Sequence, residues 1–157
     1  MKALRIMIVS FILIIGFLIA FEISSAIAGD YMGEFCWSIH ITERENGPAD
    51  DTYLTRYEAT YMGGSHYMLS GIVEVPGDNP HVSQGTAKVI GNEIYITTNG
   101  AQNHSANPWR DTGTGQMRLN LSTLNGTFWG NILSFNTSTR EFYPGYAAGE
   151  ATLITCP

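Results

Sequence analysis

The sequence predicts an all-β protein, an eight-stranded antiparallel up-and-down barrel closed by one disulfide. Three observations lead to this prediction. From residue 32 onward, runs rich in Tyr, Thr, Ile and Val alternate with clusters of Gly, Asn, Asp and Pro, as strands alternate with turns. Short and long connections alternate between those runs. The only two cysteines, Cys36 and Cys156, lie near the two ends of this region, where the first and last strands of a barrel would meet.

The first 28 residues have the pattern of a secretory signal peptide. Lys2 and Arg5 precede an apolar run from residue 6 to residue 21, and small residues ending at Ala28 follow it. The run is shorter than the ~20 residues that a membrane helix needs. We therefore expect cleavage after Ala28, no stable membrane association afterwards, and an exported protein, periplasmic or extracellular, with residues 29–157 as its single domain. An uncleaved membrane anchor is the alternative.

The exported part holds eight candidate strands, each a run of β-branched and aromatic residues between turn-forming residues. The run 52–61 could instead form a helix, because Leu54, Tyr57 and Tyr61 would share one helical face. Its many Thr and Tyr side chains favour a strand. The candidate strands are 33–41, 52–61, 66–75, 84–90, 93–98, 116–121, 127–136 and 149–156.

The connections between these strands alternate in length. In an up-and-down meander, successive connections lie at opposite ends of the sheet. We therefore expect one end closed by tight hairpins and an opposite end framed by four long loops. The tight connections are 62–65, 91–92 and 122–126, and the long ones are 42–51, 76–83, 99–115 and 137–148.

Two cysteines in an exported chain most simply form one disulfide. In a closed barrel, Cys36 in the first strand and Cys156 in the last would meet near the hairpin end. Alternation along the first strand places Phe35, Trp37 and Ile39 inside, so the disulfide should lie on the outer face. Two free thiols or an intermolecular bridge are the alternatives.

Aromatic side chains on two neighbouring strands are the candidate ligand-binding residues. Tyr53, Tyr57 and Tyr61 share the inner face of the second strand, and Trp37 lies on the first. An eight-stranded barrel is just wide enough to be filled by side chains or to hold one small ligand. These residues could therefore line a pocket for a small apolar or aromatic molecule, with the hydroxyls fixing its orientation. An ordinary aromatic core is the alternative interpretation.

The predicted loops 99–115 and 137–148 form a second candidate site, for another exported protein. Rigid scaffolds commonly carry recognition residues on such loops, and aromatic and arginine side chains are frequent anchors of interfaces. A protein-interaction module or enzyme inhibitor is therefore the second functional hypothesis, although loops that merely cover the barrel end would have a similar composition. The candidate interaction residues are His104, Trp109, Arg110, Asp111, Phe142, Tyr143 and Tyr146.

Catalytic and cofactor chemistry has little support in the sequence. The residues expected to face inward include no Asp, Glu or His, so an isomerase-type enzyme ranks third. The four histidines have no metal-ligand spacing, and we predict no catalytic residue, metal or cofactor. Removal of residues 1–28 takes away Lys2, Arg5 and Glu22, which changes the formal charge from −6 to −7. Nucleic acids and anionic membranes are therefore poor partners.

The order of strands and connections resembles the calycin-like barrels, the lipocalins and avidins, over most of the exported chain. Lipocalins carry Gly-x-Trp at the start of the first strand, and the counterpart here is Gly33-Glu34-Phe35 with Trp37 two residues later. The resemblance is architectural, and it implies an exported, non-catalytic barrel that holds a small molecule in its mouth. Dirigent-like and allene-oxide-cyclase-like barrels have the same size and strand number and are the alternatives.

Overall fold

A computed structural model describes residues 29–45, 49–75, 77, 79–104 and 108–157. The predicted signal peptide, residues 1–28, lies outside the described residues. The described part contains eight β-strands, and each corresponds to one of the predicted strands. They are β1 (Asp30–Arg44), β2 (Thr52–Gly63), β3 (His66–Glu74), β4 (His81–Ile90), β5 (Glu93–Asn103), β6 (Trp109–Asn120), β7 (Gly126–Asn136) and β8 (Glu141–Ile154).

The strands form a closed barrel in which each strand pairs with its neighbours along the chain and β1 also pairs with β8. The β1–β8 register runs from Cys36 opposite Ile154 to Arg44 opposite Ala147, and all the pairs are antiparallel. The predicted all-β, eight-stranded up-and-down barrel is therefore confirmed. The helical alternative for 52–61 is wrong, because these residues belong to β2.

Strands β1, β4, β5, β6 and β8 extend into the regions that were predicted as long loops. Strands β5 and β6 stay paired from Asn99 opposite Thr114 to Asn103 opposite Arg110, so the loop predicted at 99–115 is wrong. The loop predicted at 137–148 is also wrong, because β8 begins at Glu141. The loops predicted at 42–51 and 76–83 are present but shorter than predicted. The observed connections are 45–51, 75–80, 104–108 and 137–140.

Glycine explains why these strand ends have the composition of loops. Gly113 and Gly115 suggest turns, yet both face inward within β6. A Cβ atom added at Gly113 would lie 2.7 Å from the Asn131 carbonyl oxygen of β7. The absent side chain therefore allows a close approach of strands.

We call the end of the barrel that carries the connections 45–51, 75–80, 104–108 and 137–140 the open end. The opposite end is called the hairpin end.

The barrel interior is packed with the side chains that alternation along the strands turns inward. On β1, Trp37, Ile39 and Ile41 are buried, and Tyr57 and Leu69 lie against them from β2 and β3. This burial removes a continuous apolar surface from water, which is the main favourable contribution to folding. The buried apolar cluster is Trp37, Ile39, Ile41, Tyr57, Ala59, Leu69, Ala87, Ile96, Met117, Leu119, Ala147 and Ala151.

The predicted disulfide joins Cys36 of β1 to Cys156, which follows the end of β8, with Cα atoms 5.2 Å apart. Cys36 alternates with the inward Trp37 and so belongs to the outer face near the hairpin end. It is nevertheless fully buried. Arg56 of β2 donates to the Pro157 carbonyl oxygen at 3.2 Å, so the segment after β8 crosses the outer face of β1 and covers the bridge.

Candidate functional site

The interior becomes polar towards the open end. Thr55, Ser83, Thr98 and Gln102 are the buried polar residues of the described chain. Ser83 Oγ lies 2.8 Å from the Tyr57 hydroxyl, and the Gln102 amide donates to the Asn79 carbonyl oxygen at 2.5 Å. These bonds satisfy polar groups that would otherwise be costly to bury.

A β-bulge brings an arginine into this polar region. The register of β1 against β8 shifts between Ile41 and Glu43, and Arg44 consequently pairs with the buried Ala147. Arg44 therefore faces inward, with its side chain only 17% exposed. Its guanidinium lies 2.8 Å from Asp51 Oδ2 and also donates to the Tyr53 hydroxyl. The three side chains form a compact polar cluster on the β1–β2 side of the open end.

Asp111 provides a second polar group, on the β5–β6 side. It faces inward on β6, between its pairing partners Gln102 of β5 and Ser134 of β7. Its Oδ2 atom lies 2.9 Å from His104 Nε2, and the two side chains are 18% and 16% exposed. Asp111 Oδ1 is buried and has no hydrogen-bond partner among the described residues. A buried acceptor without a donor is unfavourable, so this oxygen is an unsatisfied polar atom on the inner side of β6.

These two groups correct the expectation that no Asp, Glu or His lies inside the barrel. Asp111 shares the inner face with Met117 and Leu119 by simple alternation, so the sequence contains a signal for its position once β6 is extended. The bulge that turns Arg44 inward has no comparable signal. We use the name "mouth" for the inward side chains at the open end, namely Arg44, Tyr53, Gln102, His104 and Asp111.

The four predicted ligand-binding residues do not line one pocket. Trp37 and Tyr57 are 3% and 2% exposed and lie within the core, where their rings are 6.4 Å apart. Tyr61 lies at the hairpin end and donates to the Gly64 carbonyl oxygen, roughly 26 Å along β2 from Tyr53. Only Tyr53 belongs to the mouth. Burial raises the pKa of Tyr57, while its hydrogen bonds to Ser83 and Thr98 act in the opposite direction.

The predicted interaction residues divide between the mouth, the rim and the outer face. His104 and Asp111 belong to the mouth. The Trp109 and Tyr143 rings meet edge to face at 5.3 Å at the rim, and Tyr143 donates to Glu141 at 2.6 Å, which raises the pKa of Tyr143.

The remaining interaction residues lie on the outer side of the barrel. Tyr146 donates to Glu43 at 2.7 Å, and this bond raises the pKa of Tyr146. Arg110 and Phe142 point outward and border a concavity of about 450 Å³ on the outer face, together with three apolar residues that carry no functional signal in the sequence. These are Val82, Leu133 and Phe135.

Across the described ranges, no group of three or more His, Cys, Asp or Glu side chains is placed to hold a metal ion. No helix long and apolar enough to cross a membrane occurs in the part of the chain that the structure describes. The chain matches no known protein family, no curated protein and no solved structure at a significant level.

Proposed function

We propose that the protein is an exported, non-catalytic binding protein that holds a small molecule with an apolar or aromatic body at the mouth. One observation carries the proposal: a layer of inward polar side chains, with the unsatisfied Asp111 Oδ1, lies above an apolar and aromatic core. Small-molecule sites generally combine apolar walls with a few placed polar groups. The proposal includes a calycin-like use of the barrel, with the ligand entering at the open end.

The mouth also suggests which polar group the ligand carries. The Asp111 side chain is 18% exposed although its Oδ1 atom is buried, so a ligand at the open end would reach this oxygen by displacing a neighbouring side chain. A ligand N–H or O–H group directed at this carboxylate would supply the missing donor, and hydrogen bonds to charged groups contribute about 1.5–3 kcal/mol. On the other side of the mouth, Arg44, Asp51 and Tyr53 already satisfy one another.

Native mass spectrometry tests the proposal on protein exported from its own host, followed by a thermal-shift screen of aromatic molecules with and without a hydrogen-bond donor. We expect a copurified mass, or a binder that needs its donor. The Asp111→Asn variant should weaken binding about tenfold or more, since 1.4 kcal/mol is a factor of ten. Tyr95→Phe, on the outer face, is the control. The proposal would be contradicted if no molecule copurified and no binder were found. It would also be contradicted if a binder bound the Asp111→Asn variant as tightly as the wild type.

The inward His104–Asp111 pair favours one other function, the isomerase-type enzyme. An imidazole beside a carboxylate can move a proton between two atoms of a bound molecule. Because isomerisation leaves the mass unchanged, the ligand recovered after incubation should be compared with the starting material by NMR. An unchanged ligand supports the binding protein, and a rearranged ligand that requires His104 supports the enzyme. A role in binding another exported protein stays a prediction.

A further inference from the structure

We propose that the barrel has a second binding site, on its outer face, for a small amphiphilic carboxylate. The site is the outer groove, the concavity of about 450 Å³ lined by Val82, Ala101, Gln102, Asn103, Arg110, Asp111, Thr112, Leu133, Phe135 and Phe142. The apolar part of the ligand would lie along the groove, and its carboxylate would bind Arg110. Gln102 and Asp111 border both the groove and the mouth, but their side chains face inward, so the groove lies on the opposite side of β5 and β6 from the mouth. The proposal does not depend on the proposed function.

The register of the strands explains why this part of the convex barrel surface is concave. One row of paired residues runs across four strands as Val82, Ala101, Thr112 and Leu133. The next row towards the open end contains Arg110, Phe135 and Phe142. Small side chains in the middle of the first row lie between larger ones on β4 and β7. The result is a floor at Ala101 and Thr112 with apolar walls on both sides.

The apolar side chains that form the walls of the groove are strongly exposed. Val82 is 72% exposed, Phe142 64% and Leu133 40%. The Phe135 and Phe142 rings lie 4.7 Å apart and form one continuous aromatic wall. Contiguous exposed apolar surface of this kind marks binding sites in soluble proteins.

Arg110 gives the groove its preference for an anion. Its guanidinium donates to the carbonyl oxygens of Trp109 at 2.7 Å and His104 at 3.5 Å, and within the described residues it has no carboxylate partner. By contrast, Arg44, Arg56 and Arg118 each lie within 4 Å of a carboxylate. A guanidinium without a carboxylate partner, beside an apolar wall, is suited to bind an anionic head group.

The size of the groove favours a small molecule over a protein segment. Its volume falls within the ~300–1,000 Å³ of small-molecule sites, whereas a stable protein interface needs about 800 Å² from each partner. A monocarboxylate with a single apolar chain offers an apolar part for the walls of the groove and an anionic head group for Arg110. Decanoate is the probe, and decanol, which has the same chain without the charge, is its matched neutral control.

Isothermal titration calorimetry of the exported protein, below the concentration at which decanoate forms micelles, tests the proposal. We expect decanoate to bind more tightly than decanol. Arg110→Gln should weaken decanoate binding about tenfold or more and leave decanol binding unchanged, because only the head group is affected. Phe142→Ser should weaken the binding of both decanoate and decanol, because it removes part of the apolar wall.

Two further variants distinguish binding in the outer groove from binding elsewhere on the barrel. Lys88→Gln removes the same charge from an exposed position of β4 outside the groove, and Tyr53→Phe alters the mouth; both should leave decanoate binding unchanged. Equal binding of decanoate and decanol, or equal effects of Arg110→Gln and Lys88→Gln, would overturn the proposal. Loss of decanoate binding in Tyr53→Phe would place the ligand in the mouth and overturn it as well.

Discussion

At the scale of single residues, Tyr57 combines a large apolar contribution with a buried, hydrogen-bonded hydroxyl group. Tyr57→Phe keeps the ring but removes the hydroxyl that lies 2.8 Å from Ser83 Oγ. We expect a loss of about 1 kcal/mol in the free energy of unfolding at pH 7, the usual net contribution of such a bond. Urea unfolding of both proteins measures it.

The same variant has an expected signature in alkaline solution. Burial raises the pKa of Tyr57 above its ordinary value of 10.0, so the fold favours the protonated phenol. This contribution to stability is complete below pH 10 and is lost as the pH rises through the pKa of the folded state. Between pH 9 and pH 11, wild type should therefore lose more stability than Tyr57→Phe. Parallel curves would contradict this assignment.

Individual inward positions were predictable where alternation is unbroken. Trp37, Ile39 and Ile41 follow one another at a spacing of two on β1, and all three are buried. Arg44 was not predictable, because the register shift between Ile41 and Glu43 moves it to the other face, and a bulge depends on pairing with β8. The mouth was therefore only partly visible in the sequence, through Tyr53 as a ligand-binding candidate and through His104 and Asp111 as candidates on a predicted loop.

At the scale of the strand, close approach of neighbouring backbones limits what β8 can carry. A Cβ atom added at Gly149 would lie 2.0 Å from the His40 carbonyl oxygen of β1, whereas one at Gly145 would meet its nearest atom at 3.6 Å. Gly149→Ala should therefore cost about 1–3 kcal/mol or more, and Gly145→Ala should stay within about 0.5 kcal/mol.

Chemical denaturation of the two glycine variants compares them directly. They add the same methyl group to the same strand, so differences in intrinsic strand preference cancel. Equal stability losses would mean that β1 and β8 can separate locally without cost, which would contradict the close approach at Gly149.

The existence of each strand was predictable from its composition, but the ends were not. β-branched and aromatic residues identify the middle of β6, while Asp111, Gly113 and Gly115 near its start have the composition of a turn. In this barrel those glycines allow neighbouring backbones or the Phe128 ring to come close. Tertiary packing therefore outweighs local preference at the open end, and two extended loops become paired strands.

At the scale of the whole molecule, the disulfide joins residues 120 positions apart. A bridge across so long a segment restricts the unfolded chain strongly. The double variant Cys36→Ala/Cys156→Ala should lose about 2–4 kcal/mol of unfolding free energy. Ligand binding at the mouth should persist under conditions where the variant is folded, because the bridge lies near the opposite end. Lost binding in a folded variant would contradict that placement.

Closure and the position of the bridge were the most predictable features of the molecule. The number of strands, their up-and-down order and one cysteine near each end together require that β1 and β8 meet. The outer groove was not predictable, because it depends on which side chains from β4 to β8 share a row, and a shift of one residue turns a whole strand over.

The β1–β8 seam has a final consequence. Since the first and last strands pair as the others do, none of the eight described strands is an edge, and their order around the barrel is cyclic. A circular permutant that joins residue 157 to residue 30 through a short linker and opens the chain between Gly91 and Asn92 retains every pair of strands. The arrangement of strands in the barrel therefore does not depend on the connection at which the chain is opened.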